Sequence, residues 1–237
     1  ASEVYKRQEP GEVVYFTHGT TVGVNAVIQR RGVKLALLTT GNFEDVLELG
    51  RLKIPHIHNL LSRRPPPLIS RNHVFPVSER IDRDGTVMQR VLRSSVEQAV
   101  AAARAAGCEG LVVALLHSYR NGANEREVRD IVAEIAPDLP VSCSCEIWPI
   151  IREYERTITA TINAYVQPKV AYYLESFEIA LSDLGVPAPP RIAKSNGGVM
   201  GVAQAKAECV QMILSSTASG VIGASFVAAQ CGFPRIL

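Results

Sequence analysis

Near the start of the chain, two continuous hydrophobic runs flank a segment in which hydrophobic residues recur at helical spacing. VVYF (13–16) and VKLALLTT (33–40) are continuous runs of apolar and β-branched residues, which predict two strands. TVGVNAVIQRR lies between them with helical spacing, and Gly32 follows where a helix would end. The pattern predicts a compact βαβ unit.

The next segments predict a helix and then a break in the pattern. NFEDVLELGRL begins at Asn42 in the manner of a capping box, and its apolar positions fit one helical face. Between Pro55 and Pro76 the sequence has three consecutive prolines and little periodicity, which favours an extended segment or an exposed loop. We take this segment as the internal boundary, which gives an N-terminal region 1–78 and a second region 79–237.

The second region again alternates strand and helix patterns. GLVVALLH (110–117) is nearly all apolar, as expected of a strand covered on both faces. The alternation predicts an α/β fold with a mainly parallel sheet and right-handed crossovers. The supporting signals are an Asp-Gly turn in IDRDGTV (81–87), a capping box at Ser95–Gln98 before a helix ended by Gly107, a cap at Asn124 and Glu127, and a strand at LPVSCSC (139–145).

The last third predicts a long helix and a glycine turn. Apolar residues keep helical spacing from Ile147 to Tyr165 and again beyond Pro168, so we expect a helix that is kinked or broken at the proline. RIAKSNGGVMG (191–201) predicts a strand that ends in a glycine turn. ILSSTASGVIGASFVAAQCG (213–232) predicts a strand or extended piece that leads into a helix of small residues.

Composition and charge narrow the function classes. Lysine and arginine number 25 against 23 acidic residues in 237, and the basic residues are scattered, so we expect no nucleic-acid partner. No apolar run approaches the roughly 20 residues of a membrane span, and ASEVYKRQEP has no apolar signal core, so we expect a cytoplasmic protein. Five cysteines, with Cys143 and Cys145 facing the same way on a strand, favour reduced structural thiols.

Three motifs offer candidate chemistry, each with a structural alternative. In HGTT (18–21) two hydroxyls stand where a helix begins, which suits an anion, although Thr20 or Thr21 could simply cap the helix. SNGG (195–198) can place backbone N–H groups around an anion or can form a simple turn. Arg152 and Arg156 could bind carboxylate or phosphate or form a surface ladder. His56 and His58 have no third ligand nearby, so we expect no metal site.

Seven segments in order resemble one family. They are HGTTVGVN (18–25), TTGNFEDVLELGR (39–51), ERID (79–82), LLHSYRN (115–121), REYERT (152–157), NAYVQP (163–168) and SNGG (195–198). With them the chain resembles the ATP-dependent hydantoinase/5-oxoprolinase family, in the subunit type also found in acetone and acetophenone carboxylases. Each motif is weak alone, but their common order covers almost the whole chain.

The resemblance implies a fold, a reaction and partners. The fold is that of the actin-like ATPases (ribonuclease H-like), with mixed sheets and flanking helices in two lobes that close around ATP and Mg²⁺. The reaction couples ATP cleavage to opening of a cyclic amide, by way of a phosphorylated oxygen. A subunit of a ketone carboxylase and a non-catalytic actin-like binding module are the alternatives. A second large subunit or domain of the hydantoinase B type, a cyclic amide or ketone substrate and an oligomeric assembly are the implied partners.

The resemblance also implies site residues, and the chain departs from it in two places. The implied catalytic residues are His18, Thr20, Thr21, Arg152 and Arg156. The implied substrate- or phosphate-binding residues are Gly19, Asn25, Arg51, Asn163, Ser195, Asn196, Gly197 and Gly198. Both Asp-x-Gly-Gly-Thr phosphate hairpins of the family are absent here, the second being expected after a strand beginning near Pro234, and SSTASG (215–220) replaces Ser-Gly-Pro-Ala-Gly-Gly. We therefore expect a piece of a longer protein that is inactive alone. A nucleotide-free hydrolase that uses His18 is disfavoured, because no Gly-x-Ser-x-Gly elbow is present.

Overall fold

The computed structural model describes residues 9–236. The helices are α1 (Val22–Ile28), α2 (Val46–Leu49), α3 (Arg93–Ala105), α4 (Ala123–Ile135), α5 (Ser144–Ile147), α6 (Glu153–Asp183), α7 (Val202–Ala207) and α8 (Ser215–Gln230). The strands are β1 (Phe16–His18), β2 (Leu35–Thr40), β3 (Val74–Val77), β4 (Arg80–Ile81), β5 (Val87–Gln89), β6 (Gly110–Ala114), β7 (Val141–Cys143), β8 (Pro190–Ala193) and β9 (Val199–Gly201). Short 3₁₀ turns lie at Pro10–Glu12, Arg71–His73 and Cys209–Met212.

The described chain forms two compact units. Residues 32–165 form one, which we call the continuous unit, and residues 9–31 with 166–236 form the other, the divided unit. The predicted division into regions 1–78 and 79–237 stays a prediction about sequence regions.

The continuous unit is built on a four-stranded parallel sheet in the order β3-β2-β6-β7. Every residue of β2 and β6 is buried, as the apolar runs predicted for strands covered on both faces. The register places Leu37 opposite Val112 at the centre of the sheet. The patterns thus predicted three strands of this sheet, β2, β6 and β7, but not β3, which begins inside the segment 55–76 interpreted as extended or looped. The Asp-Gly turn predicted at 81–87 joins the antiparallel pair β4 and β5.

Helices α3 and α4 supply the apolar cover of this sheet. Their buried residues recur at helical spacing, Val96 and Val100 on α3 and Val128 and Val132 on α4, and they belong to one core cluster with Leu38. Complete burial of a side chain of this size contributes about 1.5–3 kcal/mol relative to exposure. The amphipathic spacing of both helices is therefore explained by packing on the sheet.

The divided unit contains a three-stranded mixed sheet in the order β1-β8-β9. β1 runs parallel to β8, and β8 forms an antiparallel hairpin with β9 across the predicted glycine turn. The predicted compact βαβ unit is wrong, because β1 pairs with β8, whereas β2 belongs to the sheet of the continuous unit. The predicted strand VVYF is also shifted, since β1 begins only at Phe16. Helix α1 ends at Ile28, before Gly32, because Arg30 adopts a φ of 50° that an α-helix cannot contain.

Of the kink or break expected at Pro168, the break is wrong, because α6 runs without interruption from Glu153 to Asp183; the kink stays a prediction. A proline inside a helix removes one backbone hydrogen bond and crowds the preceding turn. Here Val166 and Val170 flank it and are both fully buried, so packing holds the helix on either side. The helix also begins later than its apolar pattern, and Ile147 and Ile151 precede it.

Both capping boxes predicted in the second region are wrong. α3 begins two residues before Ser95, whose hydroxyl donates to the carbonyl of Leu92 at 2.7 Å. α4 begins at Ala123, and the amide of Asn124 is buried and donates to the Glu79 carboxylate at 2.6 Å. A buried tertiary partner has outcompeted the local cap in this case.

Other predicted elements are shorter than their patterns. NFEDVLELGRL forms only the single turn α2. The strand predicted at 139–145 stops at Cys143, because the carboxylate of Glu125 accepts from the Ser144 hydroxyl at 2.6 Å and the Cys145 N–H at 2.8 Å and so caps α5. No strand precedes α8 within the described residues of 213–214. The strand expected from Pro234 onward includes Leu237, which lies outside the described residues, as do residues 1–8.

One segment corrects the expectation about membrane-length apolar runs. Cys209–Gln230, 22 residues with mean hydropathy 1.6, is long and apolar enough to span a membrane, and 17% of its window is buried. The expectation that no run approaches this length is therefore wrong. Length and composition alone do not establish a span, because core helices of soluble proteins have the same properties.

Candidate functional site

The HGTT turn lies at the carboxyl end of β1 in the divided unit. His18 is the last residue of the strand, and Gly19 to Thr21 lead directly into α1. The Thr20 hydroxyl oxygen accepts the N–H of Val22 at 3.2 Å, which is the local capping contact of the structural alternative. The Thr21 hydroxyl oxygen accepts from the Asn25 amide at 3.3 Å. Since each oxygen is used as an acceptor, both hydroxyl hydrogens remain able to donate to another group.

Helix α1 contributes less to this turn than its sequence suggested. It has seven residues, about two turns, and its N-cap residue, Thr21, makes no side-chain capping hydrogen bond. Backbone donors and a macrodipole of so short a helix give little attraction for an anion. The two hydroxyl groups are therefore the main polar features of the turn.

The SNGG turn follows the neighbouring parallel strand, β8. Gly197 has a φ of 86°, a conformation that side-chain-bearing residues rarely adopt, and its N–H donates to Lys194 O at 3.1 Å. The N–H of Gly198 donates to the Asn196 side chain at 3.0 Å. Ser195 donates through both its N–H and its hydroxyl to Gln211 O. Most donors of this turn are thus engaged within the protein.

Three segments of the divided unit meet at one edge of its sheet. Because β1 and β8 are parallel and adjacent, the turns that follow them lie at the same edge. The start of α8 lies there too, since a Cβ on Gly19 would be 3.9 Å from the Ser216 hydroxyl oxygen. We call this place the carboxyl edge, defined by His18–Thr21, Ser195–Gly198 and Ser215–Ser216.

Ser215 was not predicted as a site residue, yet its side chain is unusual. It is fully buried at the first position of α8, and its hydroxyl oxygen has no hydrogen-bond partner within the described structure. A buried hydroxyl without a partner is unfavourable by about 1–3 kcal/mol. Sequence reasoning saw SSTASG only as a substitution of glycines, and no sequence signal marks the burial of this serine.

His18 lies in an aromatic cluster of the divided unit. Its Nε2 is 2.6 Å from the hydroxyl of Tyr173, and its ring stacks on Phe177 with centroids 4.5 Å apart. Burial lowers the pKa of His18 from its ordinary value of 6.5, so the imidazole is neutral at neutral pH. Tyr173 was assigned from the sequence to the apolar stripe of the long helix, since a contact across 155 residues leaves no local signal.

Arg152 and Arg156, which were predicted to act together, both lie in the continuous unit and differ sharply in burial. Arg156 is 1% exposed and donates to Ser144 Oγ at 3.0 Å, Ile150 O at 2.9 Å and Leu115 O at 2.7 Å. Arg152 is exposed and precedes the first residue of α6. The two side chains therefore do not form the expected pair of forks on one helix face.

The other predicted residues of the continuous unit also have protein neighbours. Arg51 forms an ion pair with Glu155, and Asn163 is buried with 1% exposure. The structure thus brings His18, Gly19, Thr20, Thr21 and Asn25 to the same sheet edge as Ser195, Asn196, Gly197 and Gly198. It places Arg51, Arg152, Arg156 and Asn163 in the other unit. The catalytic and binding roles of all thirteen residues stay predictions.

A buried acidic pair in the continuous unit was missed by sequence reasoning. Glu79 is 4% exposed and accepts from Thr40 and Asn124, and burial raises its pKa above the ordinary value. Glu125 is fully buried and accepts from the Leu115 N–H at 2.9 Å. These carboxylates hold the ends of strands and the start of α5 together, which is a structural role.

Within residues 9–236, no three His, Cys, Asp or Glu side chains lie together in a way that could hold a metal ion. His56 and His58 are both exposed in the loop that follows α2. The described cysteines are all free thiols.

Comparisons with known proteins agree in both sequence and structure. Residues 1–136 match the model of the hydantoinase/oxoprolinase N-terminal region, and residues 156–237 match the hydantoinase/oxoprolinase model. The chain is 33% identical to protein MJ0964 of Methanocaldococcus jannaschii over 88% of its length. It is 31% identical to the caprolactamase subunit alpha of Pseudomonas jessenii over 93%, and 32% identical to the acetone carboxylase beta subunit of Xanthobacter autotrophicus over 91%.

Two solved structures are similar over most of the chain. The ATP-dependent caprolactamase from Pseudomonas jessenii gives a TM-score of 0.85 at 28% identity, over 98% of this chain and 35% of that one. The nucleotide-free acetone carboxylase gives a TM-score of 0.84 at 31% identity, over 92% of this chain and 32% of that one. The fold is the α/β, actin-like ATPase type that the sequence predicted. The chain spans about a third of the length of these relatives, 31% of MJ0964 and 32% of the other two.

Proposed function

The chain belongs to the hydantoinase/oxoprolinase family, and on that premise we propose that it is part of an ATP-dependent enzyme that opens a cyclic amide. The observation that carries this proposal is the carboxyl edge, where two predicted motifs far apart in sequence follow adjacent parallel strands. Amide resonance makes the bond unreactive, so its opening needs activation. ATP would supply a phosphoryl group to the amide oxygen and so remove this resonance. Water could then add to the carbon, the C–N bond would break with the nitrogen taking a proton, and a second water would release phosphate.

The residues of the carboxyl edge fit a phosphate group. Thr20 and Thr21 keep hydroxyl hydrogens that can donate to phosphate oxygens. Lys194 directly precedes SNGG in the sequence and carries a positive charge. Ser215 adds a buried hydroxyl without a partner. None of the three segments that define the edge contains Asp or Glu, so the edge supplies no carboxylate ligand to Mg²⁺.

His18 has a specific role in this proposal. A neutral imidazole has one N–H donor, which can hydrogen-bond to a developing oxyanion in the transition state. Because the donor is held by a strand and by stacked aromatic rings, it needs no reorganisation when charge develops. In this proposal His18 donates a hydrogen bond to the substrate, and the hydroxyls of Thr20 and Thr21 bind phosphate.

The proposed enzyme includes a second subunit and works in the cytoplasm. Support for a partner comes from relatives whose names describe them as subunits, caprolactamase subunit alpha and acetone carboxylase beta subunit. We propose a partner of the hydantoinase B type. The cytoplasmic location and the oligomeric assembly are inferred from the sequence alone.

The test is substrate-dependent ATP cleavage by the complete protein with its partner. We expect a cyclic amide such as hydantoin or 5-oxoproline to stimulate ATP hydrolysis and to be opened in equal amount. His18→Ala should lower this coupled rate by about 10²- to 10⁴-fold, since one preorganised donor or acid–base group has effects of that size. His56→Ala, in an exposed loop, is the matched control and should retain the rate. An unchanged rate in His18→Ala would contradict the proposal.

A ketone carboxylase subunit is the second candidate. It is favoured by the similarity to the acetone carboxylase beta subunit, at 32% identity and with a TM-score of 0.84 for the solved enzyme. The same assay separates the two, with acetone or acetophenone and bicarbonate in place of the amide. A protein that binds MgATP but cleaves it with neither class of substrate would support the non-catalytic module, for which Ser216 and Ser219 in SSTASG are the sequence argument.

A further inference from the structure

The His18 ring forms a cluster with three aromatic rings, Phe16, Tyr173 and Phe177, which come from two elements of the divided unit. Phe16 and His18 are two apart on β1, so their side chains point the same way. Tyr173 and Phe177 are four apart on α6, one helical turn from each other. The His18 ring lies 26° from the plane of Phe177 and 29° from that of Tyr173, while the Tyr173 and Phe177 planes differ by 9°. Phe16 packs on Phe177 at 5.7 Å.

This arrangement restricts His18 in two ways. The stacked rings fix the plane of the imidazole, and the contact of 2.6 Å between Nε2 and the Tyr173 hydroxyl fixes its rotation within that plane. A neutral imidazole has one protonated and one unprotonated nitrogen, and the partner of one nitrogen decides the role of the other. A phenol O–H is a better donor than a neutral imidazole N–H, so the favoured bond runs from Tyr173 to Nε2.

We propose that Tyr173 is the positioning residue of His18, holding the imidazole in the tautomer with the proton on Nδ1. Nδ1–H is then the donor that His18 offers to an anionic oxygen of the substrate. The inference rests on the proposed function, because it gives the same histidine a defined donor atom. Tyr173 acts through His18 and does not contact the substrate itself.

The position of Tyr173 on the helix supports this role. Its neighbour Tyr172 is 75% exposed, whereas Tyr173 is half-buried beside the strand. The same helix stripe contains Val170 and Leu174, which are fully buried apolar residues and would satisfy packing alone. A phenylalanine at 173 could make the same ring contacts, so the hydroxyl contributes what packing does not need.

The first arm of the test reads the tautomer without any activity. The full 237-residue chain contains five histidines, and labelling them with ¹⁵N gives imidazole signals in which His18 is identified by its loss in His18→Gln. We expect a protonated Nδ1 and an unprotonated Nε2 in the wild type. Tyr173→Phe keeps the ring and removes the hydroxyl, and His18 should then shift toward the Nε2–H form that dominates in free histidine. Tyr172→Phe is the matched control and should leave the His18 signals unchanged.

The second arm measures turnover in the complete protein with its partner. Tyr173→Phe should lower kcat by about 10- to 100-fold with little change in KM, the size seen when the hydrogen-bond partner behind a functional histidine is removed. Tyr172→Phe should keep the wild-type kcat. Thermal unfolding of Tyr173→Phe should match the wild type, which separates positioning from a loss of folded protein.

The two arms distinguish two kinds of failure. If His18 keeps the same tautomer and kcat is unchanged in Tyr173→Phe, the positioning role is overturned. If the tautomer shifts but His18→Ala retains full turnover, the contact is confirmed and the proposed function of His18 is overturned. A tautomer shift together with a selective loss of kcat supports both.

Discussion

Two polar clusters in this protein differ in how far their hydrogen-bonding groups find partners inside the fold. In the continuous unit, Arg156 is buried and gives its donors to Ser144, Ile150 and Leu115. In the divided unit, His18 is half-buried, and the hydroxyls of Thr20 and Thr21 keep hydrogens that no neighbour takes. A polar group with all its bonds made inside the fold stabilises that fold. A polar group with bonding capacity left over, at a sheet edge, is suited to a ligand.

The comparison shows why motif residues should not be treated as one class. REYERT and HGTT both resemble the family, yet Arg156 is buried and gives three N–H donors to protein acceptors, with its guanidinium 5.8 Å from the ring centroid of Tyr119. The expected difference is therefore that changes in the continuous unit affect stability, whereas changes at the carboxyl edge affect turnover.

The largest effect on stability is expected from Arg156→Ala. Its loss leaves the carbonyls of Leu115 and Ile150 without these donors and opens a cavity, so we expect about 3 kcal/mol or more of lost unfolding free energy. Arg152→Ala, four residues away and exposed, should change it by less than about 0.5 kcal/mol. Urea unfolding of both variants measures the difference. If Arg156→Ala is as stable as the wild type and loses only turnover, the comparison between the two clusters fails.

A smaller loss of unfolding free energy is expected from a substitution at Gly32, where the continuous unit begins. A Cβ on Gly32 would lie 2.3 Å from the ring of Tyr165, so Gly32→Ala forces this buried ring to move, at a cost of about 1–3 kcal/mol. Gly201→Ala is a suitable control, because nothing lies within 4 Å of its added Cβ. The midpoint of urea unfolding should fall for Gly32→Ala alone. Equal midpoints would show that Tyr165 yields without strain.

His18 in the divided unit and Glu79 in the continuous unit should give the unfolding free energy opposite dependences on pH. The pKa of His18 is lowered by burial, so below pH 6.5 the unfolded state binds more protons and stability falls as the pH falls. The pKa of Glu79 is raised, mainly by burial, so stability falls as the pH rises from 4.5 through its folded pKa. His18→Gln should remove the first dependence and Glu79→Gln the second, measured as unfolding free energy between pH 4 and pH 8. Parallel curves for a variant and the wild type would exclude that residue as the source.

The smallest effect is expected from thiol modification. Burial raises the pKa of Cys143 and of Cys209 to about 12 in each case, whereas Cys231 is exposed at the end of α8. At pH 8, iodoacetamide should therefore label Cys231 first in the 237-residue chain and leave its unfolding midpoint nearly unchanged. Mass spectrometry of the peptides locates the label. Early labelling of Cys143 would show that the continuous unit opens more readily than its burial implies.

Most of the fold could be predicted because its strands are marked by composition. β2 and β6 follow runs so apolar that only a sheet covered on both faces accommodates them, and the glycine turn between β8 and β9 is marked by Gly197. Helix boundaries were less predictable. Asn124 looked like a cap and instead bonds to Glu79, because a buried carboxylate 45 residues away offered a stronger partner.

The candidate site was predictable only in part. The HGTT and SNGG motifs were found from their residues and by resemblance, but their convergence depends on the pairing of β1 with β8, which are separated by more than 170 residues. Tyr173 and Ser215 were missed, since the first follows an apolar stripe and the second belongs to a segment of small residues.

The sequence by itself determined the family, the α/β class and the turns, since these depend on local composition, period and short motifs. Tertiary structure alone decided which motif residues make their hydrogen bonds inside the fold and which can still bond to a ligand. The physical reason is that hydrogen-bonding capacity is a property of contacts rather than of residue type. Arg156 donates to acceptors in three separate segments, whereas His18 acquires its orientation from a residue 155 positions away and its lowered pKa from burial.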